Sequence, residues 1–161
     1  MIPEDELTSR KRVVASLHEK TAFLRRGAKT LLANRRFRQT HPDFPVPPLY
    51  LLWEAQSYTS YALYRESGAT TAQMYWQIFR TQVMTRGHGP YRVLEWGCGP
   101  ARIVRHMPKL AAEDGVDAEF YATDYNSRSV AWARANVSGV QFELNALAPP
   151  LPFPREHFDF V

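Results

Sequence analysis

Two acids and two glycines stand where short apolar segments give way to polar loops. Glu95 precedes Gly97 and Gly99, and a second acid, Asp124, closes the next apolar segment. Glycine adopts backbone angles that other residues resist, and it lets a ligand lie close to the main chain. In parallel α/β sheets, ligands bind beyond the carboxyl ends of the strands. These residues therefore predict a ligand site bordered by two carboxylates.

The charge of the loop indicates what kind of ligand it binds. A dinucleotide loop has a third glycine where this sequence has Arg102, and it holds a pyrophosphate at a helix N-terminus. The Glu95 carboxylate would repel a pyrophosphate, but it would favour a cation. S-adenosylmethionine (SAM) carries a sulfonium and an ammonium group and no phosphate. The pattern thus favours SAM over NAD.

The end of the second apolar segment suits a nucleoside. The Asp124 carboxylate can accept hydrogen bonds from both ribose hydroxyls, and charged acceptors make the stronger bonds. Tyr125, the next residue, could pack on the face of an adenine. The interval from Gly97 to Asp124 leaves room for one crossover helix and a strand.

Strand and helix patterns alternate from Tyr91 onward. Strands are predicted at Tyr91–Trp96, Ala118–Thr123 and Val140–Leu144, with a fourth starting at Phe158–Val161. Helices are predicted at Arg102–Leu110, interrupted or ended near Pro108, and at Ser127–Asn136. This alternation indicates an α/β fold, a parallel sheet with flanking helices.

The part before the strands divides in two. Residues 1–48 form a basic helical N-terminal arm and a proline-rich linker, because the pattern from Leu7 to Arg38 is helical and His41–Pro48 breaks it. Gly27 weakens the middle of the arm, so two helices are as good a prediction as one. Residues 49–161 form the ligand-binding domain, with residues 49–90 as its leading helices.

Within the leading helices, Ser67-Gly68 is expected to interrupt a helix that starts at Leu49. Thr70 or Thr71 could then cap a second helix. A tight loop is expected at Gly87-His88-Gly89-Pro90.

The ordered motifs resemble those of class I SAM-dependent methyltransferases from about residue 91 to residue 161. The resemblance rests on Glu-x-Gly-Cys-Gly after a strand, an Asp at the end of the next strand, and the later segments Asn145-Ala146-Leu147, Leu151-Pro152-Phe153 and Phe158-Asp159-Phe160-Val161. The proline-rich stretch and Tyr64-Arg65-Glu66-Ser67-Gly68 also resemble a subgroup of that family. The family implies a Rossmann-like fold, SAM as cofactor, and methyl transfer to an acceptor that the sequence does not identify.

The resemblance implies a role for each matching residue. Glu95 would hold the methionine ammonium, directly or through water, and the Gly97 and Gly99 backbone would line the methionine portion. The remaining cofactor-binding residues would be Asp124 on the ribose, Tyr125 beside adenine, Asn145 accepting the adenine amino group, Ala146 offering its backbone to the ring, and Cys98 within the loop. The Cys98 thiol is interpreted as a small buried filler rather than a nucleophile. Ala101 replaces the family's third loop glycine, and no residue is assigned as catalytic base.

The family sheet has seven strands, and this sequence ends in the fourth. We expect an incomplete domain, apparently truncated at strand 4: a fragment, an early-terminated product, or a chain completed by a partner or an oligomer. The expected activity is that of a SAM-dependent methyltransferase. The alternative is a non-catalytic or partner-completed protein of the same fold that acts as a binding subunit.

Composition and charge limit which other classes of protein this sequence could belong to. The net charge is +4, and ten of the 20 Lys and Arg residues lie between Arg10 and Arg38. A solvated helix face explains this cluster better than nucleic-acid binding, which stays possible. The single cysteine excludes an internal disulfide, the five histidines lack metal-ligand spacing, and no apolar run is long enough to span a membrane. We therefore expect a cytoplasmic protein without a bound metal.

Overall fold

The computed structural model describes residues 4–86 and 89–161, and of residues 4–16 and 86 it describes the backbone alone. The helices are α1 (Glu4–Thr40), α2 (Leu49–Gln56), α3 (Tyr61–Gln82), α4 (Met107–Glu113) and α5 (Ser127–Asn136). The strands are β1 (Tyr91–Trp96), β2 (Ala118–Asp124) and β3 (Gln141–Leu144), and short 3-10 turns lie at Met84–Arg86 and Val104–His106. Of the expected loop at 87–90, Gly87 and His88 lie outside the described residues.

The three strands form a parallel sheet in the order β1-β2-β3. Tyr91 of β1 lies opposite Ala118, and this register continues along β2. Phe160 pairs in parallel with Val93 on the free side of β1, where the Leu94 N–H donates to the Phe160 carbonyl at 2.9 Å. The predicted parallel sheet with flanking helices is confirmed, and the predicted fourth strand is present as this one bridge.

Two apolar clusters hold the helices to the sheet. The larger one joins α3, α4 and α5 to the strands, and its bulkiest members are Trp76, Phe79, Tyr91, Met107, Phe120 and Phe142. The smaller one joins α1 to α2 and α3 through Phe37, Leu52, Tyr61 and Tyr64, with Phe44 packed against it. The leading helices are thus part of one packed body with the sheet.

The expectation that Ser67-Gly68 interrupts a helix is wrong. The break comes earlier, at Ser57, whose φ of 56° ends α2. Then α3 starts at the Ser60 N-cap and runs without a break to Gln82. A Cβ on Gly68 would lie 2.1 Å from the Arg102 carbonyl oxygen, so this glycine permits a close approach to another segment rather than a bend.

The other helices also differ from expectation near glycine and proline. A single helix, α1, continues through Gly27, around which a Cβ would meet nothing within 4 Å. Pro108 lies in the first turn of α4 rather than at its end. Proline is tolerated there because the first backbone N–H groups of a helix have no intrahelical acceptor.

Among the helices of residues 4–86 and 89–161, none combines the length and the apolar character that a membrane crossing requires.

Candidate functional site

The loop after β1 is fastened to β2 by three backbone donors. The Gly97 and Cys98 N–H groups both donate to the Thr123 carbonyl, at 2.8 and 2.9 Å. The Gly99 N–H donates to Oδ2 of Asp124 at 2.7 Å. Gly97 and Gly99 have φ values of 73° and 52°, which glycine adopts without strain. The two glycines therefore let the chain turn sharply while its amides stay bonded to β2.

Ala101, at the position of the family's third loop glycine, adopts a left-handed backbone conformation that glycine favours. Its φ is 56° and its side chain is fully buried. The left-handed region is costly for a residue with a Cβ, so the surrounding packing must hold it there. The loop thus has three residues with positive φ, of which two are glycines and one is an alanine.

Asp124 is buried at the end of β2, and both of its oxygens accept a backbone N–H. Oδ1 accepts from Asn126 and Oδ2 from Gly99, each at 2.7 Å. A carboxylate oxygen has two lone pairs, so each retains capacity for one more donor. Asn126 also caps α5 by accepting from the N–H groups of Arg128 and Ser129. Asp124 thus joins the loop to the start of α5 and can still accept two hydroxyl groups.

Glu95 lies at the end of β1, half-buried, and its Oε2 accepts the Val104 N–H at 2.8 Å. The pKa of Glu95 is raised from 4.5 to about 7, chiefly by burial. The Val104 hydrogen bond and the Arg102 charge oppose this rise, and the Asp124 charge adds to it. The ionised form is therefore poorly stabilised by the protein alone. A cation beside this carboxylate would stabilise it.

Two clefts flank the glycine loop, and Gly97 lines both. The first, of about 250 Å³, contains Asp124, Tyr125 and Gly99 on one wall and Glu54–Gln56 of α2 on the other. The second, of about 470 Å³, is more apolar, and its lining includes Glu95, Trp96, Ile103, Met107 and Phe160. The two carboxylates thus border different clefts that meet at Gly97.

The predicted site residues fall into two groups. Glu95, Gly97, Gly99, Asp124 and Tyr125 line the two clefts. Cys98, Asn145 and Ala146 lie next to them but line neither cleft.

The contacts of the second group are with the backbone nearby. The Asn145 N–H donates to the Asp124 carbonyl at 3.1 Å, and its side-chain amide donates to the Ala146 carbonyl at 2.7 Å. Its Oδ1 is buried and has no hydrogen-bond donor within the described part of the chain. Burial raises the pKa of the Cys98 thiol, which fits an inert filler.

Sequence reasoning missed the contribution of α2. The Asn126 side-chain amide donates to the Glu54 carboxylate at 3.2 Å, across the first cleft. A Cβ on Gly99 would lie 3.2 Å from the Cβ of Ala55. The one local sign of this contact in the sequence is the small side chain of Ala55. A small residue alone does not identify which loop α2 packs against.

A metal centre is not indicated by the residues that the structure describes, since they contain no group of three His, Cys, Asp or Glu side chains able to hold an ion.

A family model described as a methyltransferase domain matches residues 93–161. A TehB-like SAM-dependent methyltransferase from Corynebacterium glutamicum is similar at 12% identity and a TM-score of 0.30, covering 51% of this chain and 47% of its own. A complex between the Haloferax volcanii Trm112 methyltransferase activator and a candidate methyltransferase is similar at 16% identity and a TM-score of 0.34, covering 68% of this chain and 43% of its own.

The chain therefore spans less than half the length of either solved structure. A search of curated proteins finds no match. The family match covers β1 from Val93, the glycine loop, β2 and β3. Residues 93–161 therefore match a methyltransferase-domain family, in agreement with the resemblance of their ordered motifs to class I SAM-dependent methyltransferases.

Proposed function

We propose that this chain binds SAM across Gly97 and transfers its methyl group to an acceptor. The supporting observation is that Glu95 and Asp124 lie at the ends of neighbouring parallel strands, in clefts that meet at Gly97. In this proposal Glu95 holds the cationic ammonium of the methionine portion. Asp124 accepts the ribose hydroxyls, and Tyr125 packs beside the adenine.

Two features of the site fit this cofactor. A Cβ built on Gly97 would meet nothing within 4 Å, so a ligand can lie directly against the main chain. The Asp124 oxygens each accept one N–H and can accept a second donor. Asn145 lies beside Asp124 but outside both clefts, and its Oδ1, which has no donor within the described residues, would meet an amino group only after the side chain turns.

The chemistry expected of the protein residues is binding and orientation. Bound SAM supplies a methyl group on a sulfonium that is already poised to leave. Glu95 neutralises the ammonium, and the loop held by Thr123 and Asp124 fixes the position of the cofactor. Holding two reactants in register lowers the barrier by removing their translational freedom beforehand. The proposal assigns no proton acceptor for the methyl acceptor.

The test is the affinity of the full chain for SAM and for its demethylated product, measured by titration calorimetry and by thermal shift. Wild-type protein should gain about 2.7 kcal/mol of stability at a ligand concentration of about 100 times Kd. The Asp124→Asn variant loses the charge and one of the two oxygens that accept the Gly99 and Asn126 N–H groups, so its affinity should fall about tenfold or more.

The matched control is Glu113→Gln, which removes a carboxylate that pairs with Lys109 on the surface of α4, away from both clefts. Its affinity should equal that of the wild type. Absence of binding by the wild-type protein, unchanged binding by Asp124→Asn, or preferential binding of NAD would contradict the proposal. Release of the demethylated product from SAM in the presence of a metabolite mixture measures methyl transfer itself.

A further inference from the structure

The glycine loop has a second attachment, on the side away from β2. The hydroxyl of Tyr64, on α3, donates to the Pro100 carbonyl at 2.6 Å. Pro100 lies between Gly99 and Ala101, the two residues of the loop whose φ values are 52° and 56°. Tyr64 is fully buried, so water cannot replace its hydroxyl at that carbonyl. This bond therefore holds the most constrained part of the loop.

Arg105 fixes the position of the Tyr64 hydroxyl. Its Nη1 donates to the Tyr64 oxygen at 3.0 Å and to the Pro45 carbonyl at 2.9 Å, and its guanidinium lies 4.0 Å from the centre of the Phe44 ring. Burial raises the pKa of Tyr64 to about 12, so the phenol stays protonated and can donate to Pro100. The proline-rich segment, Arg105, Tyr64 and the loop thus form one chain of contacts.

The same face of α3 follows the loop for two further turns. Gly68 meets the Arg102 carbonyl at a distance that excludes a Cβ. The Arg102 guanidinium lies 3.3 Å from the Ser67 hydroxyl and 3.5 Å from that of Thr71. Residues three and four apart share a helix face, so Tyr64, Gly68 and Thr71 present one surface to residues 100–102.

We propose that Tyr64 is a positioning residue, which holds the glycine loop in its ligand-binding shape through the Pro100 carbonyl. The ligand meant here is SAM, so this inference rests on the proposed function. The contact with the loop is independent of the ligand. Loss of the hydroxyl would leave a buried carbonyl without its donor, and the segment around Pro100 would lose its hydrogen bond to α3.

The experiment compares Tyr64→Phe with Tyr61→Phe in the full chain. Tyr61 is a matched control because it lies one turn earlier on α3, is also buried, and also has its hydroxyl bonded to an arginine, Arg38, at 2.8 Å. Its hydroxyl faces α1, however, and not the loop. Each variant keeps the ring and loses one hydroxyl.

Two readouts separate positioning from a general loss of stability. The first is hydrogen exchange of the amides of residues 97–104 in the ligand-free protein. The second is the affinity for S-adenosylhomocysteine, compared with that for 5′-methylthioadenosine, which lacks most of the amino-acid portion. Tyr64→Phe should speed exchange in this segment, and it should weaken S-adenosylhomocysteine about tenfold but 5′-methylthioadenosine less. Tyr61→Phe should change neither readout, even if it melts earlier.

Equal exchange at residues 97–104 in Tyr64→Phe and wild type, or an equal increase in both variants, would overturn the proposal. A wild-type protein that binds neither nucleoside would refute the proposed function, while the exchange comparison would still decide the role of Tyr64. Arg105→Gln is the second variant, for use if Tyr64→Phe does not fold. It should speed exchange in the same segment, and an unchanged rate would count against the proposal.

Discussion

Among single residues, the two site carboxylates are stabilised in different ways. Asp124 accepts two backbone N–H groups, whereas Glu95 accepts one and lies in a more apolar cleft. Burial is the main cause that raises the pKa of Glu95 to about 7. The protein carries a carboxylate whose charge it stabilises poorly, at the place where a cationic ligand is proposed to bind.

Glu95→Gln should stabilise the ligand-free protein at high pH. The folded pKa of about 7 exceeds the model-peptide value of 4.5, so the carboxyl favours folding below pH 4.5, and this contribution is lost as the pH rises through 7. At about pH 8 the variant should therefore be more stable than wild type by about 2 kcal/mol, after a discount for partial exposure. At about pH 4 the two should unfold alike. Urea denaturation at both pH values measures the difference.

The same substitution, Glu95→Gln, should weaken SAM binding. This second measurement tests whether the buried carboxylate serves to bind the ligand. A bound ammonium lowers the pKa of Glu95, so wild-type affinity should rise by up to about tenfold per pH unit between about pH 5 and about pH 7. Glu95→Gln should lose that dependence. A Glu95→Gln variant that is less stable than wild type at about pH 8 would show that burial does not destabilise the charged carboxylate. A wild-type affinity that does not change with pH would show that the carboxylate does not bind the ammonium.

The residues found from sequence are those that local rules identify. Strand ends and glycine spacing predicted Glu95, Gly97 and Asp124, because a parallel sheet brings the ends of its strands together. Tyr64 and Glu54 could not be assigned in this way. Their contacts with Pro100 and Asn126 join residues 36 and 72 positions apart, and they depend on how α3 and α2 cross the loop.

Among the elements, the strands and α5 were predictable because their patterns are short and local residues, such as a capping Asn, mark where they begin or end. Asn126 caps α5 at the predicted start, and β1 spans the predicted Tyr91–Trp96. The prediction was wrong at Gly68, which was interpreted as a break in the helix. A glycine is needed there because the backbone of Arg102, in another segment, packs directly against it. Sequence shows that a glycine is present, and only the packing shows whether the backbone or a neighbour requires it.

A pair of glycine variants tests this reading of the two long helices. Gly68→Ala should destabilise the protein by more than about 2 kcal/mol, because the new Cβ would lie 2.1 Å from a backbone oxygen. Gly27→Ala, in open surroundings on α1, should stabilise it by about 0.5–1 kcal/mol, because alanine is the better helix former. Thermal and urea unfolding give both values. Equal effects at the two positions would refute the close approach of α3 to Arg102.

In the whole molecule, the N-terminal arm is both an exposed helix and a part of the core. Leu17 and Leu24 are exposed, whereas Asn34 and Phe37 are buried against α2 and α3. The Asn34 side chain donates to the Thr59 carbonyl at 2.7 Å and accepts the Tyr61 N–H at 3.0 Å. The predicted boundary after residue 48 stays a prediction, and this packing supplies the means to test it.

Two truncations make that test. Removal of residues 1–20 should leave the melting temperature nearly unchanged, since residues 17–20 are exposed. Removal of residues 1–48 should cost about 3 kcal/mol or more, because it takes away Phe37 and uncovers Leu52 and Tyr61. Circular dichroism melts of the two products measure this. A stable, cooperatively melting 49–161 product would instead support the boundary.

The position of Trp96 has a practical consequence. Trp96 is 66% exposed and lies directly before Gly97, in the wall of the apolar cleft, while Trp76 is buried in the core. Indole emission responds to the polarity of its surroundings, so the protein carries an intrinsic fluorophore beside its proposed ligand. Occupancy of the cleft can therefore be followed optically in unlabelled protein, with Trp96→Phe to identify the source of the signal.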